Sequence, residues 1–199
     1  MTVDTVVFDI GAVLVDWQPH LAWVDDLGED GAKAFMSRIN FDKINVACDA
    51  GARFGDAAAL LDDVGDAAHL NRYVAQYTKT VPNKIAGTWD ILYELRAAQV
   101  PLHTITNWSA ETWPEGVKAH PELGEVFGET VVSGEVGMIK PSIEIYRLLC
   151  DRAEIAPERC VFIDDSLHNC LGAKAAGMDA IHFTGAQELR PALQARGLL

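Results

Sequence analysis

Five short apolar runs, each ending on or beside a polar residue, constrain this chain more than anything else in it. They are "VDTVVF" at 3–8, "LHTIT" at 102–106, "TVV" at 130–132, "CVFID" at 160–164 and "AIHF" at 180–183. Runs this short, apolar at successive rather than alternate positions, read as strands buried on both faces. Helical patterns lie between them. "KIAGTWDILYELRAAQ", 84–99, puts Ile85, Trp89, Leu92 and Leu95 on one stripe, and Pro101 stops it. "PSIEIYRLLCDRA", 141–153, opens with proline and serine, both helix-start signals. "SLHNCLGAKAAG", 166–177, starts at Ser166 as an N-cap candidate and ends on Gly177, a glycine suited to the left-handed turn after a helix. The alternation from residue 84 onward predicts an α/β fold with a parallel, doubly wound sheet.

Residues 18–80 break that rhythm. They hold helical patterns such as "AAALLDDV" and "HLNRYVAQY", and no convincing strand. The expected organisation is therefore an α/β core of residues 1–16 and 84–199, interrupted by an α-helical insertion over 17–83. At 199 residues, 49% of them hydrophobic, the chain can bury a sizeable core. Its net charge of −13 repels nucleic acid and anionic membranes on average, so neither is expected as a partner. A small anionic substrate is not excluded, because a local cation inverts the field of a cleft. The four cysteines form no CxxC pair and read as free thiols, buried or half-buried. The start, "MTVDTVVFDI", lacks a basic segment followed by a long apolar one, and no apolar run approaches the roughly 20 residues that span a bilayer. A cytoplasmic location is the expectation, and the chain is expected to be a monomer or a homodimer.

In a parallel α/β sheet, ligands bind outside the carboxyl ends of the strands. The first run ends at Asp9, the second at Thr106-Asn107, and the fourth at Asp164-Asp165; Lys140 follows the third, just before Pro141. A parallel sheet gathers these at one edge. Three carboxylates together repel and call for a cation, and hard oxygen ligands suit Mg²⁺, which also binds substrate phosphate. A lysine beside them keeps a carboxylate ionised. A hydroxyl and backbone N–H groups grip phosphate oxygens, and a carboxylate oxygen of Asp9 can attack phosphorus. Taken singly, each residue has a plain structural role: an acid as a turn former or cap, a lysine facing solvent. Four successive strand ends with complementary chemistry are much harder to obtain by accident.

Asp9 in "VVFDIGAVL", Thr106 in "HTITNWS", Lys140 in "GMIKPS" and the pair in "VFIDDS" resemble, in order and spacing, the four motifs of the haloacid dehalogenase (HAD) superfamily. The resemblance spans nearly the whole chain. It is nearest to the HAD-type phosphatases with an α-helical cap and to the phosphatase domain fused to epoxide hydrolases. It implies a Rossmann-like core, with residues 17–83 as the cap, opening and closing over the site. It implies Mg²⁺-dependent hydrolysis of a small phosphomonoester through an aspartyl-phosphate on Asp9. Carried over by position, the Gly11 carbonyl and Asp165 would bind Mg²⁺ with Asp9, and Asp164 would do so directly or through water. Thr106, the Asn107 amide and the Gly11 turn would hold the phosphoryl group, and Lys140 would steady both phosphate and Asp9.

One position departs from the pattern. Many phosphatases of the superfamily carry a second aspartate two residues after the nucleophile, which protonates the leaving group; here that residue is Gly11. Such acid–base help is worth about 10²–10⁴-fold. Three readings answer its loss. The substrate has a good leaving group, as an anomeric sugar phosphate does. Or another group of the cap stands in, the candidates being Asp16, His20, Asp42 and Asp49. Or the protein is not a phosphatase: the 2-haloacid dehalogenases of the superfamily also lack this acid and need no metal, and a non-catalytic protein that binds a phosphate ligand is a further alternative. Trp17, Trp108 and Asn45 are the candidates for substrate contacts. The histidines show no metal-ligand spacing and read as structural or surface residues.

Overall fold

The structure, a computed structural model describing residues 3–199, centres on five parallel strands: β1 (Thr5–Phe8), β4 (Leu102–Thr106), β5 (Thr130–Val132), β6 (Cys160–Asp164) and β7 (Asp179–His182). Their order across the sheet is β5-β4-β1-β6-β7. The strand that comes first in sequence thus lies at the centre, flanked by β4 through Val7↔His103 and by β6 through Val7↔Phe162. β1, β4 and β6 are buried at every position, which is why their residues are largely apolar or β-branched with no solvent-facing alternation; the polar groups His103 and Thr104 are buried as well, Thr104 Oγ1 donating to the Phe8 carbonyl at 2.8 Å. The α/β class and the parallel sheet are as the sequence predicts. The first two residues of the expected core lie outside the described ones.

Two further strands escape the sequence pattern. β2 (Val15–Asp16) and β3 (Asn83–Lys84) pair antiparallel, with Val15 opposite Lys84 and Asp16 opposite Asn83. They close the neck between the sheet and the helical segment, and each is two residues long, too short for periodicity to register. The helix expected from residue 84 accordingly begins later, because Lys84 belongs to β3.

Helices surround and extend this frame. The segment between β2 and β3 carries α1 (Val24–Arg38), α2 (Phe41–Asp49), α3 (Phe54–Ala58), α4 (Val64–Asn71) and α5 (Tyr73–Gln76). The sheet is covered by α6 (Ala86–Ala97), α7 (Trp113–Ala119), the single turn α8 (Ser133–Val136), α9 (Ile143–Ala153), α10 (Leu167–Ala175) and α11 (Ala186–Gln194). Gly177 has φ +102, the backbone expected just past α10. Ser166 occupies the N-cap position of α10 but its hydroxyl makes no capping bond; its backbone N–H instead donates to Asp164 Oδ1 at 2.8 Å.

The helical block has its own aromatic centre. Tyr73 stacks on Trp23 at 5.1 Å and meets Phe41 at 5.0 Å and Phe54 at 4.8 Å. Each such pair is worth about 0.5–1.5 kcal/mol beyond its buried area. Tyr77 then meets Trp108 of the core at 5.6 Å, so one apolar cluster runs from the block onto the sheet. All four cysteines are free and buried, as expected. Among the described residues no helix is long and apolar enough to cross a membrane.

Candidate active site

The carboxyl edge of the sheet brings together the residues that end β1, β4 and β6. Asp9 follows β1, and its backbone N–H extends the ladder to the Ile163 carbonyl at 2.8 Å. That fixes where its carboxylate points: Oδ1 accepts from the Ile10 N–H at 2.7 Å and lies 2.8 Å from Lys140 Nζ. Lys140 Nζ also reaches Asp164 Oδ2 at 2.7 Å. All three groups are buried. Phe162 lies under the ammonium, its ring centroid 5.3 Å away.

Asp164 has no oxygen to spare. Its Oδ1 accepts from the Ser166 N–H and from Asn169 Nδ2 at 3.0 Å; its Oδ2 takes Lys140 and Asn169. Asp165 is exposed, with its backbone carbonyl accepting from His182 Nε2 at 2.9 Å. One oxygen from each of Asp9, Asp164 and Asp165 falls within 4.8 Å of the others.

Burial dominates the electrostatics of this cluster. It pushes the Asp9 carboxyl up to about 7, with the Lys140 ammonium pulling down and the Asp164 charge adding to the push. Burial also raises Asp165, again helped by Asp164. For Lys140 burial acts the other way, yet its two carboxylate partners outweigh it and hold the ammonium charged.

Thr106 ends β4 fully buried. Asn107 does not aim its side chain at the site: Oδ1 accepts from the Lys140 N–H at 2.8 Å and Nδ2 donates to the Lys140 carbonyl at 3.1 Å. The carboxamide is a two-pronged clamp on the lysine backbone, so only the backbone N–H of Asn107 remains for a ligand.

Gly11, two residues past Asp9, lines a cavity of about 210 Å³. Trp17, Tyr77 and Trp108 form its apolar walls, and Asn45, Asp49, Asn107 and Thr112 supply polar groups. Among the described residues no lysine or arginine lines it. The three pocket residues expected from sequence, Trp17, Trp108 and Asn45, therefore share one cavity; Tyr77 and Thr112 were not legible as members. A Cβ built on Gly11 would meet nothing within 4 Å, so the missing side chain is not a steric requirement.

Of the four groups weighed as replacements for an acid at Gly11, the cavity includes Asp49 alone. Asp16 accepts from Gln18 Nε2 at 2.5 Å, and His20 pairs with Glu29 at 3.2 Å. Asp42 is exposed and lines a separate depression with Asn40 and Phe41. Asp49 ends α2, is 8% exposed, and accepts from Asn45 Nδ2 at 2.9 Å. Its backbone carbonyl accepts from Ser133 Oγ at 2.6 Å, and the same Ser133 oxygen accepts from the Trp108 N–H at 2.9 Å. Ser133 thus ties the end of α2 to the loop after β4.

Comparison with known proteins follows these residues. The family model described as haloacid dehalogenase-like hydrolase matches residues 3–177. The chain is 30% identical over 94 residues to sesquiterpene phosphatase astK of Aspergillus oryzae, covering 47% of each protein. It is 31% identical over 130 residues to glyceraldehyde 3-phosphate phosphatase of Methanothermobacter thermautotrophicus, covering 64% of this chain and 54% of that one. The matched segments thus span about half the length of these curated relatives. A HAD family enzyme of Bacteroides thetaiotaomicron, crystallised with magnesium and inorganic phosphate, superposes with a TM-score of 0.72 at 20% identity, over 92% of this chain and 95% of that one.

Proposed function

This chain belongs to the haloacid dehalogenase-like hydrolase family, and from that premise we propose that it is a Mg²⁺-dependent phosphatase acting on a small phosphomonoester through a phosphorylated Asp9. The observation that carries this reading is the charge balance at the sheet edge. Three carboxylates face one ammonium, leaving two negative charges that a single divalent cation would neutralise. The all-oxygen donor set fits magnesium. The phosphatase relatives and the magnesium and phosphate complex of the Bacteroides enzyme support the same reading.

Asp9, Asp165 and the Gly11 carbonyl would hold the ion, while Asp164, its oxygens already engaged, positions Lys140. The ion would supply charge neutralisation for the phosphoryl oxygens, and beside it Asp9 would favour its ionised form. Asp9 Oδ1 is held by Ile10 and Lys140, so Oδ2 is the oxygen that attacks phosphorus. Lys140, the Thr106 hydroxyl and the Asn107 N–H stabilise charge on the transferring group. Residues 17–83 act as the cap. Among the described residues no lysine or arginine lines the cavity to pair with a second anionic group, which favours an uncharged leaving alcohol such as a polyol or sugar. The cavity's aromatic walls suit the faces of such a group.

The test is phosphate release from p-nitrophenyl phosphate and a panel of sugar phosphates, with Mg²⁺, with chelator, and with Asp9→Asn. Release that needs the metal and disappears in the variant is expected. No release, with halide freed from 2-chloropropionate in chelator, would replace this reading with a dehalogenase.

A further inference from the structure

Resting on the phosphatase reading, we propose that the Asp49 carboxyl, carried into the cavity by α2 of the helical block, is the general acid that protonates the leaving oxygen. It does the task for which Gly11 has no side chain. Three features of the geometry point to it. Asp49 lines the same small cavity as Gly11 and Asn107, where the departing alcohol would sit. It is fixed there, by Asn45 at its Oδ2 and by Ser133 at its carbonyl, and Ser133 in turn holds the loop that follows Thr106. And it is more than nine-tenths buried, with no lysine or arginine among the described residues lining the cavity to pair with its charge.

That environment keeps the group protonated where an ordinary aspartic acid would not be. Burial pushes its carboxyl up to about 7, against the Ser109 backbone N–H and the more distant Lys140 ammonium, which pull down. The other ionisable groups facing it are the Tyr73 and Tyr77 phenols of the block and Cys48 on its own helix, all three raised by burial and so neutral at pH 7. A proton donor with a pKa near the working pH is the efficient kind.

In the first step Asp9 Oδ2 bonds to phosphorus as the phosphorus–alkoxide bond breaks. The electron pair of that bond goes to the leaving oxygen, which takes the Asp49 proton and departs as the alcohol. Asp49 is then a carboxylate. It accepts a proton from the water that next attacks the phosphoryl group on Asp9, which restores both residues and releases phosphate.

The experiment is kcat/KM for Asp49→Asn on two phosphates in Mg²⁺. This ratio reports the first step alone. With glycerol 2-phosphate, a poor leaving group, the loss expected is ~10²–10⁴-fold, and with p-nitrophenyl phosphate, whose anion leaves unaided, roughly tenfold smaller or less. Equal losses on both overturn the assignment while leaving the phosphatase reading standing. Absence of release from the unaltered protein overturns the phosphatase reading itself, and this inference with it. Should Asp49→Asn fail to fold, the pH profile of the unaltered protein decides. kcat/KM for glycerol 2-phosphate falls above about 7, the value for Asp49, and the profile for p-nitrophenyl phosphate stays flatter. Parallel profiles overturn the proposal.

Discussion

Lys140 carries two buried carboxylates on one ammonium, and its loss is the severest single change the site offers. Lys140→Met leaves Asp9 and Asp164 buried with no cation beside them, held only by hydrogen bonds from Ile10, Ser166 and Asn169, and costs about 3–5 kcal/mol by urea unfolding at pH 8. The cost shrinks as pH falls, because Asp9, raised to about 7 even with the lysine in place, takes up a proton; on the phosphatase reading, phosphate release falls by ~10²–10³-fold. Asp49 behaves in the opposite sense. Its folded pKa of about 7 lies above the unfolded value of 3.8, so the native state holds the extra proton between those limits. Stability therefore falls as pH rises through that window and levels off above it. Asp49→Asn removes this residue's share of the slope, leaving that of Asp9 and Asp165: a higher Tm than the unaltered protein at pH 8, converging at pH 4, read by calorimetry. Gly11→Asp fits its open surroundings and is expected to raise kcat/KM on glycerol 2-phosphate, most of all in an Asp49→Asn background. Asp9, Asp164 and Asp165 were legible because each sits at or just past a strand end, where local sequence fixes position; Lys140, eight residues past β5 and beyond α8, was legible from the loop that precedes Pro141. Asp49 was legible only as one acid among several. Its place depends on how α2 docks against the sheet edge, and no local pattern encodes burial that arises from a distant part of the chain.

Strands β1, β4, β5 and β6 were readable because burial on both faces fills them with apolar and β-branched residues and leaves no exposed alternation to blur them. The neck strands β2 and β3 were not, since a two-residue ladder leaves no period. The helix ends show the same contrast. Gly177 signalled the end of α10 through its backbone freedom, while Ser166 suggested a side-chain cap that its hydroxyl does not make, only its N–H being engaged, by the Asp164 carboxylate. α10 also sets the height of the lysine loop. A Cβ on Gly172 would fall 2.5 Å from the Pro141 carbonyl oxygen, so helix and loop pack backbone to backbone. Gly172→Ala should push that loop, and Lys140 with it, off Asp9. The expected result is a loss of about 1–3 kcal/mol in denaturant titration. A fall in kcat should accompany it, one that the control Lys174→Ala, on the exposed side of the same helix, does not share.

At the scale of the molecule, the acidic cluster makes stability an indicator of metal. Mg²⁺ binding the native state alone adds RT ln(1 + [Mg²⁺]/Kd), about 2.7 kcal/mol at a hundredfold excess over Kd. Thermal scans should show Tm rising with Mg²⁺, returning with chelator, and unresponsive in Asp165→Asn. The net charge of −13 gives no hint of the anionic substrate proposed, because the local field is set by Lys140, and by the metal the carboxylates would hold, rather than by the surface. The pocket's aromatic wall was half legible for a related reason: Trp17 and Trp108 adjoin the motifs, whereas Tyr77 arrives from the far end of the helical block. The four cysteines, finally, give the experimenter a blank canvas. Cys48, Cys150, Cys160 and Cys170 are all within 3% of complete burial, so maleimide reagents find no native target on the folded protein. Leu60 on the block and Leu171 on α10, 85% and 55% exposed, can be replaced by cysteine and labelled as a donor–acceptor pair without removing a single native thiol. Energy transfer between them would test whether the block moves relative to the sheet during turnover.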